Sequence, residues 1–463
     1  MKLVKSLLLG SAAGIAAVAG AQAADLPSRK AAPVEYVRVC SAYGAGFFFI
    51  PGTDTCLRVG GRVRAEYSVG ERFGEGADAY GTRARGRLNI DARTATAYGT
   101  LRTFFRYELS NNSGNYVGGV NFNPGINLPG QARNTSPATT DILDLAFIQF
   151  GPITAGRAQS FFDFYANDYT FTVVRTADAR LNLLAYTATF GSGFSGTISL
   201  EDRASTVVPG LGLRENPVIS PAGVGSRILG QDFPDLVASL RVDQGWGSAQ
   251  LSGALSQRNI SNTGPGFTSS NDELGFAVQA GVKINLPMLA AGDVLFLQAA
   301  YADGALGYLG WFSQFGSGRQ LTATPATQLT IGDFGVDGFG NVRSATGFSL
   351  LAALRHFWTP QLRSEFAVSY SELQLDYVVA GQTVPGIVAR PLDPKEAIVA
   401  ASLIWSPVSG LDIGVEVLYS RTELRQPVLA ANNAGTRVPL AAGGRLVKSD
   451  DAFAGRLRIQ RDF

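Results

Sequence analysis

From Arg456 to Phe463 polar and apolar side chains alternate: Arg456, Arg458 and Gln460 share one parity, Leu457, Ile459 and Phe463 the other, and the run ends on an aromatic ring. A period of two places these sets on opposite faces of a β-strand. The pattern recurs along the chain. Alternating runs predict sixteen strands, at about 57–69, 82–93, 97–109, 142–150, 153–159, 181–190, 193–202, 236–243, 247–257, 273–286, 292–302, 346–357, 361–374, 395–406, 410–423 and 449–463.

The connections alternate too. Every second one is a few residues long, as at Gly151-Pro152, Gly191-Ser192, Gln244-Gly245 and Trp358-Thr359-Pro360. Those between run from roughly ten to more than forty residues: 70–81, 110–141, 160–180, 203–235, 258–272, 303–345, 375–394 and 424–448. Short turns on one rim and long loops on the other mark a transmembrane β-barrel, whereas a propeller or solenoid repeats at a fixed period. The expected fold is all-β: a 16-stranded antiparallel transmembrane β-barrel with short periplasmic turns and long external loops.

An export signal agrees with this. Lys2 and Lys5 precede an apolar stretch from Leu7 through Val18, and Ala21-Gln22-Ala23 fits the small-x-small cleavage pattern. Residues 1–23 are expected to be a signal peptide, 24–56 a periplasmic N-terminal segment and 57–463 the barrel. The apolar stretch is shorter than the ~20 residues a spanning helix needs. No later segment offers so long an apolar run, which leaves a closed barrel as the way to cross a membrane, here the Gram-negative outer membrane.

Of 39 basic residues only six are Lys; without Lys2 and Lys5 the basic side chains balance the 37 acidic ones. Wholesale attraction of nucleic acid is not expected at zero net charge. Cys40 and Cys56 are the only cysteines, in a compartment that permits oxidation. One disulfide closing a small periplasmic loop is expected, with two buried free thiols as the alternative. A metal site lacks partners because His356 is the only His, and no cofactor is expected. Trp246, Trp358 and Trp405 sit at short turns, where an amphipathic ring lies at headgroup level, while Trp311 falls in a long loop. Outer-membrane lipid and lipopolysaccharide are the expected surroundings.

The two faces of the wall differ. Outward positions on the later strands are large and apolar, such as Phe276, Val278, Phe366, Val415, Val417 and Ile459. On the first two strands they are Gly61, Ala65, Ala84, Gly86 and Ala92, and small residues let a second barrel approach. The inward face there is cationic: Arg58, Arg62 and Arg64, then Arg83, Arg85, Arg87 and Arg93, then Arg102 and Arg106. Guanidinium groups are costly in lipid, so they point into a wet lumen. They read either as an electrostatic wall that acts on passing solutes or as a solvated lining neutralised by its own carboxylates.

The connection at about 160–180 carries the candidate constriction. Phe161-Phe162-Asp163-Phe164-Tyr165-Ala166-Asn167-Asp168-Tyr169-Thr170-Phe171 is too aromatic for a free external loop. Folded inward, it hides its rings against the wall and turns Asp163 and Asp168 toward the arginines, giving a narrow passage with a transverse field.

Several stretches resemble the alphaproteobacterial porin family: Lys5 to Gly14, Ala21 to Pro27, Val34 to Cys40, Ile50 to Gly61, Ala155 to Phe164 and Gln460 to Phe463. The resemblance implies a homotrimer and passive diffusion of small hydrophilic solutes and ions through each subunit. It further implies an inward constriction loop beginning near Ser160, a loop at 110–141 that latches onto a neighbour, and Phe463 as the signal read by the barrel-assembly machinery. Arg461 departs from that signal, which prefers an apolar residue there, so it is expected to snorkel to the headgroups. A substrate- or anion-selective porin is the nearest rival. A plugged adhesin or structural barrel is more distant. An enzyme is not expected, since no Ser-His-acid group assembles around His356.

Overall fold

The structure is a computed structural model that describes residues 38–70, 79–114, 138–166, 169–171, 174–207, 225–264, 267–311, 314–315, 329–337, 339–378, 390–429 and 442–463. The expected signal peptide, Asp168 and most of the 110–141 loop lie outside the described residues.

Sixteen antiparallel strands form the barrel wall: β1 (Thr55–Gly70), β2 (Tyr80–Thr96), β3 (Gly99–Asn112), β4 (Ala138–Phe150), β5 (Ile153–Gln159), β6 (Arg180–Gly191), β7 (Phe194–Val207), β8 (Asp235–Gln244), β9 (Gly247–Gly264), β10 (Phe267–Asn285), β11 (Val294–Asp303), β12 (Val342–Thr359), β13 (Leu362–Leu375), β14 (Lys395–Val408), β15 (Leu411–Leu429) and β16 (Leu446–Asp462). Each pairs with its sequence neighbour, and β16 returns to β1 with Arg62 opposite Asp462 and Gly70 opposite Ala454. The seam continues through Gly61, whose N–H donates to the Phe463 carbonyl at 2.9 Å while the Phe463 N–H donates to the Gly61 carbonyl at 3.1 Å. Closure removes both sheet edges.

Burial is inverted relative to a water-soluble sheet protein. Outward apolar residues such as Leu240 (61 %) and Val417 (66 %) stand exposed, while inward Glu66 and Arg458 are buried. Such a wall suits a lipid exterior and a polar interior. Trp246, Trp358 and Trp405 are exposed on that exterior. Of the small outward residues, Ala65, Ala84 and Gly86 are exposed, but Gly61 is covered. A Cβ on Gly61 would lie 2.5 Å from the Arg87 carbonyl and 2.6 Å from the Phe463 ring, so this position serves the seam.

Several strands outrun their sequence-based limits at the long-loop end. The expected 258–272 loop is mostly hairpin, with β9 and β10 in register out to Gly264 opposite Phe267. Its residues, from Arg258 to Asp272, are largely polar, and backbone pairing needs no apolar alternation to continue.

The residues through Cys56 form a separate small unit. Cys40 and Cys56 are joined in a disulfide, with Phe47 buried beside them and the Tyr43 and Phe47 ring centroids 5.9 Å apart. Arg38 caps the Phe49 ring at 4.8 Å.

Candidate functional site

The chain leaves the wall after the short strand β5 and re-enters at β6, and the described part of 160–179 lies inside the barrel. Its first turn is fixed by Glu201 on β7, which accepts from the Ser160 hydroxyl at 2.7 Å and the Phe161 N–H at 3.0 Å. Three glutamines on adjacent strands carry it onward. Gln250 donates to the carbonyls of Phe161 and Asp163, Gln279 donates to the Phe162 carbonyl at 2.7 Å, and Gln298 accepts from the Tyr165 N–H at 3.1 Å. These bonds satisfy main-chain groups that would otherwise be buried unpaired.

Aromatic rings fill the space beneath. Phe164, Tyr165 and Tyr169 pack around Phe296 with centroids 5.3–5.8 Å away. Gly281 has no side chain because a Cβ there would overlap the Phe164 ring, and Gly414 leaves the same room for Phe171. Ala166 and Thr170 adopt left-handed backbone (φ 52° and 65°), costly for residues with a side chain. The Tyr165 hydroxyl clasps this turn by accepting from the Tyr169 N–H and donating to its carbonyl, both at 3.1 Å.

Beyond the turn the segment reaches the far wall. Glu365 accepts from the Thr170 N–H, Glu416 accepts from the Phe171 N–H, and the Phe171 carbonyl takes Arg456 at 2.6 Å and Arg458 at 3.2 Å. On the return, Arg175 binds Glu396 at 2.5 Å, donates to the Gly310 carbonyl at 2.9 Å and stacks over Trp311 at 3.9 Å.

Trp311 belongs to a second inward piece. The long connection after β11 was expected to be external, yet the 3₁₀ turn Leu306–Leu309, Trp311, Ile331 and Phe334 are buried. The Tyr308 ring lies 4.6 Å from Phe162, and its hydroxyl donates to Asp235 at 2.8 Å under the Arg203 guanidinium. Burial, with Asp235 beside it, pushes the Tyr308 hydroxyl well above the usual phenol range, which keeps it a donor. The cause of this folding is the one applied to 161–171: Leu306, Tyr308, Leu309 and Trp311 are too apolar for water.

The arginine sector occupies β16 and β1 to β6. Arg83 and Arg458 share Glu66, Arg85 and Arg87 share Glu108, and Arg93 and Arg102 share Asp91. Arg106 and Arg180 meet at Asp144, and Arg62 binds Asp462 at 2.5 Å. Arg64 bonds to the neutral Gln460 amide, and Arg58 is exposed near the start of β1. Asp163 is buried: one oxygen accepts from Gln159 at 2.9 Å and the other from the Phe164 N–H at 2.9 Å. Asp163 thus lies by the root of the segment, within electrostatic reach of Arg180.

Sequence reasoning did not single out the anchors Glu201, Glu365, Glu396 and Glu416. Their inward parity was legible, but not what they hold. His356 pairs with Asp293 at 2.6 Å beside Trp358 near the end of β12, and among the described residues no cluster suited to a metal occurs. Arg461 reaches the Ser409 carbonyl at the turn between β14 and β15.

A family profile described as "Porin subfamily" matches residues 25–440. Porin Omp2b of Brucella suis is 37 % identical over 262 residues, 53 % of this chain and 64 % of that protein, and Omp2b of Brucella abortus matches to the same extent. The matched stretch thus spans a little under two-thirds of these relatives. Among solved structures, the outer membrane channel DcaP of Acinetobacter baumannii superposes with a TM-score of 0.56 over 90 % of this chain and 99 % of that one, at 15 % identity. That likeness shows a shared barrel fold.

Proposed function

The chain belongs to the porin subfamily, and from that membership we propose that it forms a water-filled channel in the Gram-negative outer membrane through which small hydrophilic solutes and ions diffuse passively. One observation carries the reading. Inside a closed barrel the guanidinium groups of Arg83, Arg85, Arg87, Arg102 and Arg106 keep solvent contact, while the described part of the inward segment occupies the lumen beside them. Sixteen strands enclose enough width for water beside such a segment.

In this proposal the segment at 160–180, with Asp163 and Asp168, is the constriction and the arginines are its basic wall. The small outward residues Ala65, Ala84 and Gly86 support a homotrimer, each subunit keeping its own pore. Phe463 supports recognition by the barrel-assembly machinery, and the exposed apolar belt supports contact with lipid and lipopolysaccharide. The test is single-channel recording of the refolded protein in a planar bilayer. Large open steps arriving in threes are expected; a silent bilayer with a heat-modifiable, folded barrel would instead favour a plugged adhesin or structural protein.

A further inference from the structure

Building on that channel reading, we infer that the pore prefers anions and that Arg64 is the station at which a permeating carboxylate or phosphate oxyanion rests. The first ground is where the negative charge has gone. Glu201 on β7 and Glu365, Glu396 and Glu416 on β13 to β15 carry the carboxylates that touch the inward segment, and all four are buried, to 0 %, 4 %, 5 % and 3 % exposure. Glu201 and Glu416 accept from main-chain N–H groups of the segment, Glu365 is held by Arg355 and Arg363 at 2.9 and 3.1 Å, and Glu396 is held by Arg175.

The second ground is an inequality within the ion pairs themselves. Where Arg83 meets Glu66 the guanidinium side keeps 17 % exposure and the carboxylate none; where Arg102 meets Asp91 the figures are 27 % and 10 %. Short carboxylates sit at the wall under longer arginines that reach past them. Glu66 serves three arginines and Asp91 two, so pairing leaves positive charge over. Water in the lumen therefore meets guanidinium groups first, and a low-dielectric wall strengthens the field they exert on a passing ion.

Arg64 is distinct among them. Its Nε and Nη2 donate to the Gln460 amide oxygen at 3.1 and 2.9 Å, and no described carboxylate forms an ion pair with it. Arg62, Arg85 and Arg458 lie within electrostatic reach, and Glu66, the carboxylate that acts on it, is already held by Arg83 and Arg458. A guanidinium has five N–H donors in a planar fork, and an amide oxygen uses only part of that capacity. An oxyanion taken bidentately would use the rest and would be released readily, because the neighbouring Arg62, Arg85 and Arg458 are already engaged by Asp462, Glu108 and Glu66.

The test records the reversal potential of the refolded full chain under a KCl gradient, then the block of current by added citrate. Chloride permeability is expected to exceed potassium permeability, and Arg64→Gln to lower that ratio about twofold, within the reach of one partly screened charge. Citrate block weakens in Arg64→Gln. In Arg64→Lys the ion preference is retained but citrate block is not, since a point charge lacks the fork. Should Arg64→Gln fail to give a heat-modifiable barrel, Gln460→Glu supplies Arg64 with a carboxylate, and the same fall in ratio is expected. An open channel that is non-selective or prefers potassium overturns the inference and leaves the channel reading standing. A silent bilayer overturns both. Anion preference that survives Arg64→Gln and Gln460→Glu unchanged removes Arg64 as the station.

Discussion

Arg175 ties the return limb of the inward segment to two other parts of the barrel at once, through Glu396 on β14 and the Gly310 carbonyl of the second inward piece. Its side chain and that of Glu396 are 3 % and 5 % exposed, so neither has water as an alternative partner. Removing one member of such a pair strands the other as a buried charge, at a cost of about 3–5 kcal/mol. The barrel ladder does not depend on this contact, so the loss falls on the inward segment. Arg175→Ala is expected to raise open-channel conductance and current noise while the barrel remains heat-modifiable. Conductance and noise identical to the parent would show that other contacts suffice to hold the limb. A single cationic residue inside an apolar stretch (Val173-Val174-Arg175-Thr176-Ala177) gave no hint of this role, because both its partners lie more than a hundred residues away in the chain.

At the scale of elements, the inward segment is held by sockets as much as by bonds. Gly414 on β15 faces the lumen, and a Cβ there would come within 2.6 Å of the Phe171 ring. Gly414→Leu is expected to displace the tip at Thr170 and Phe171, with an overpacking cost of about 1–3 kcal/mol borne by the segment. The readout is conductance together with the Arg456 and Arg458 contacts to the Phe171 carbonyl, which a crystal structure of the variant would show broken. A variant with both contacts intact would mean the wall yields instead of the tip. The strands themselves were legible because lipid on one side and water on the other impose a period of two over each membrane crossing. Their outer ends were less so. From Asn259 to Ser270 the side chains are mostly polar on both parities, the sequence alternation fades, and the pairing register keeps β9 and β10 together.

For the barrel as a whole, closure rests on a seam between residues about 400 positions apart, where Gly61 meets Phe463 and Arg62 meets Asp462. An open sheet of this composition would expose unpaired backbone to lipid, which costs several kcal/mol per group, so closure and membrane insertion are expected to be coupled. Gly61→Leu places a side chain against both the Arg87 carbonyl and the Phe463 ring. It is expected to lower the fraction of compact, heat-modifiable barrel on unheated gels. Gly253→Ala, whose added Cβ finds only an ordinary contact at 3.9 Å, should leave that fraction unchanged. Equal yields from the two variants would place the closing step elsewhere than at this glycine.

The sequence by itself determined the number of strands, their order, the lumen-facing parity of the arginines and the inward course of an aromatic segment after Ser160. These follow from side-chain chemistry read against a fixed local period, which needs no knowledge of distant contacts. Tertiary structure alone decided which charges remain exposed to the lumen. Covering Glu201, Glu365, Glu396 and Glu416 while leaving Arg83, Arg85 and Arg102 accessible depends on where one loop lies across the barrel. The same holds for the burial of Leu306 to Trp311 under β13, since parity along a strand assigns a residue to the lumen but not to what fills that lumen.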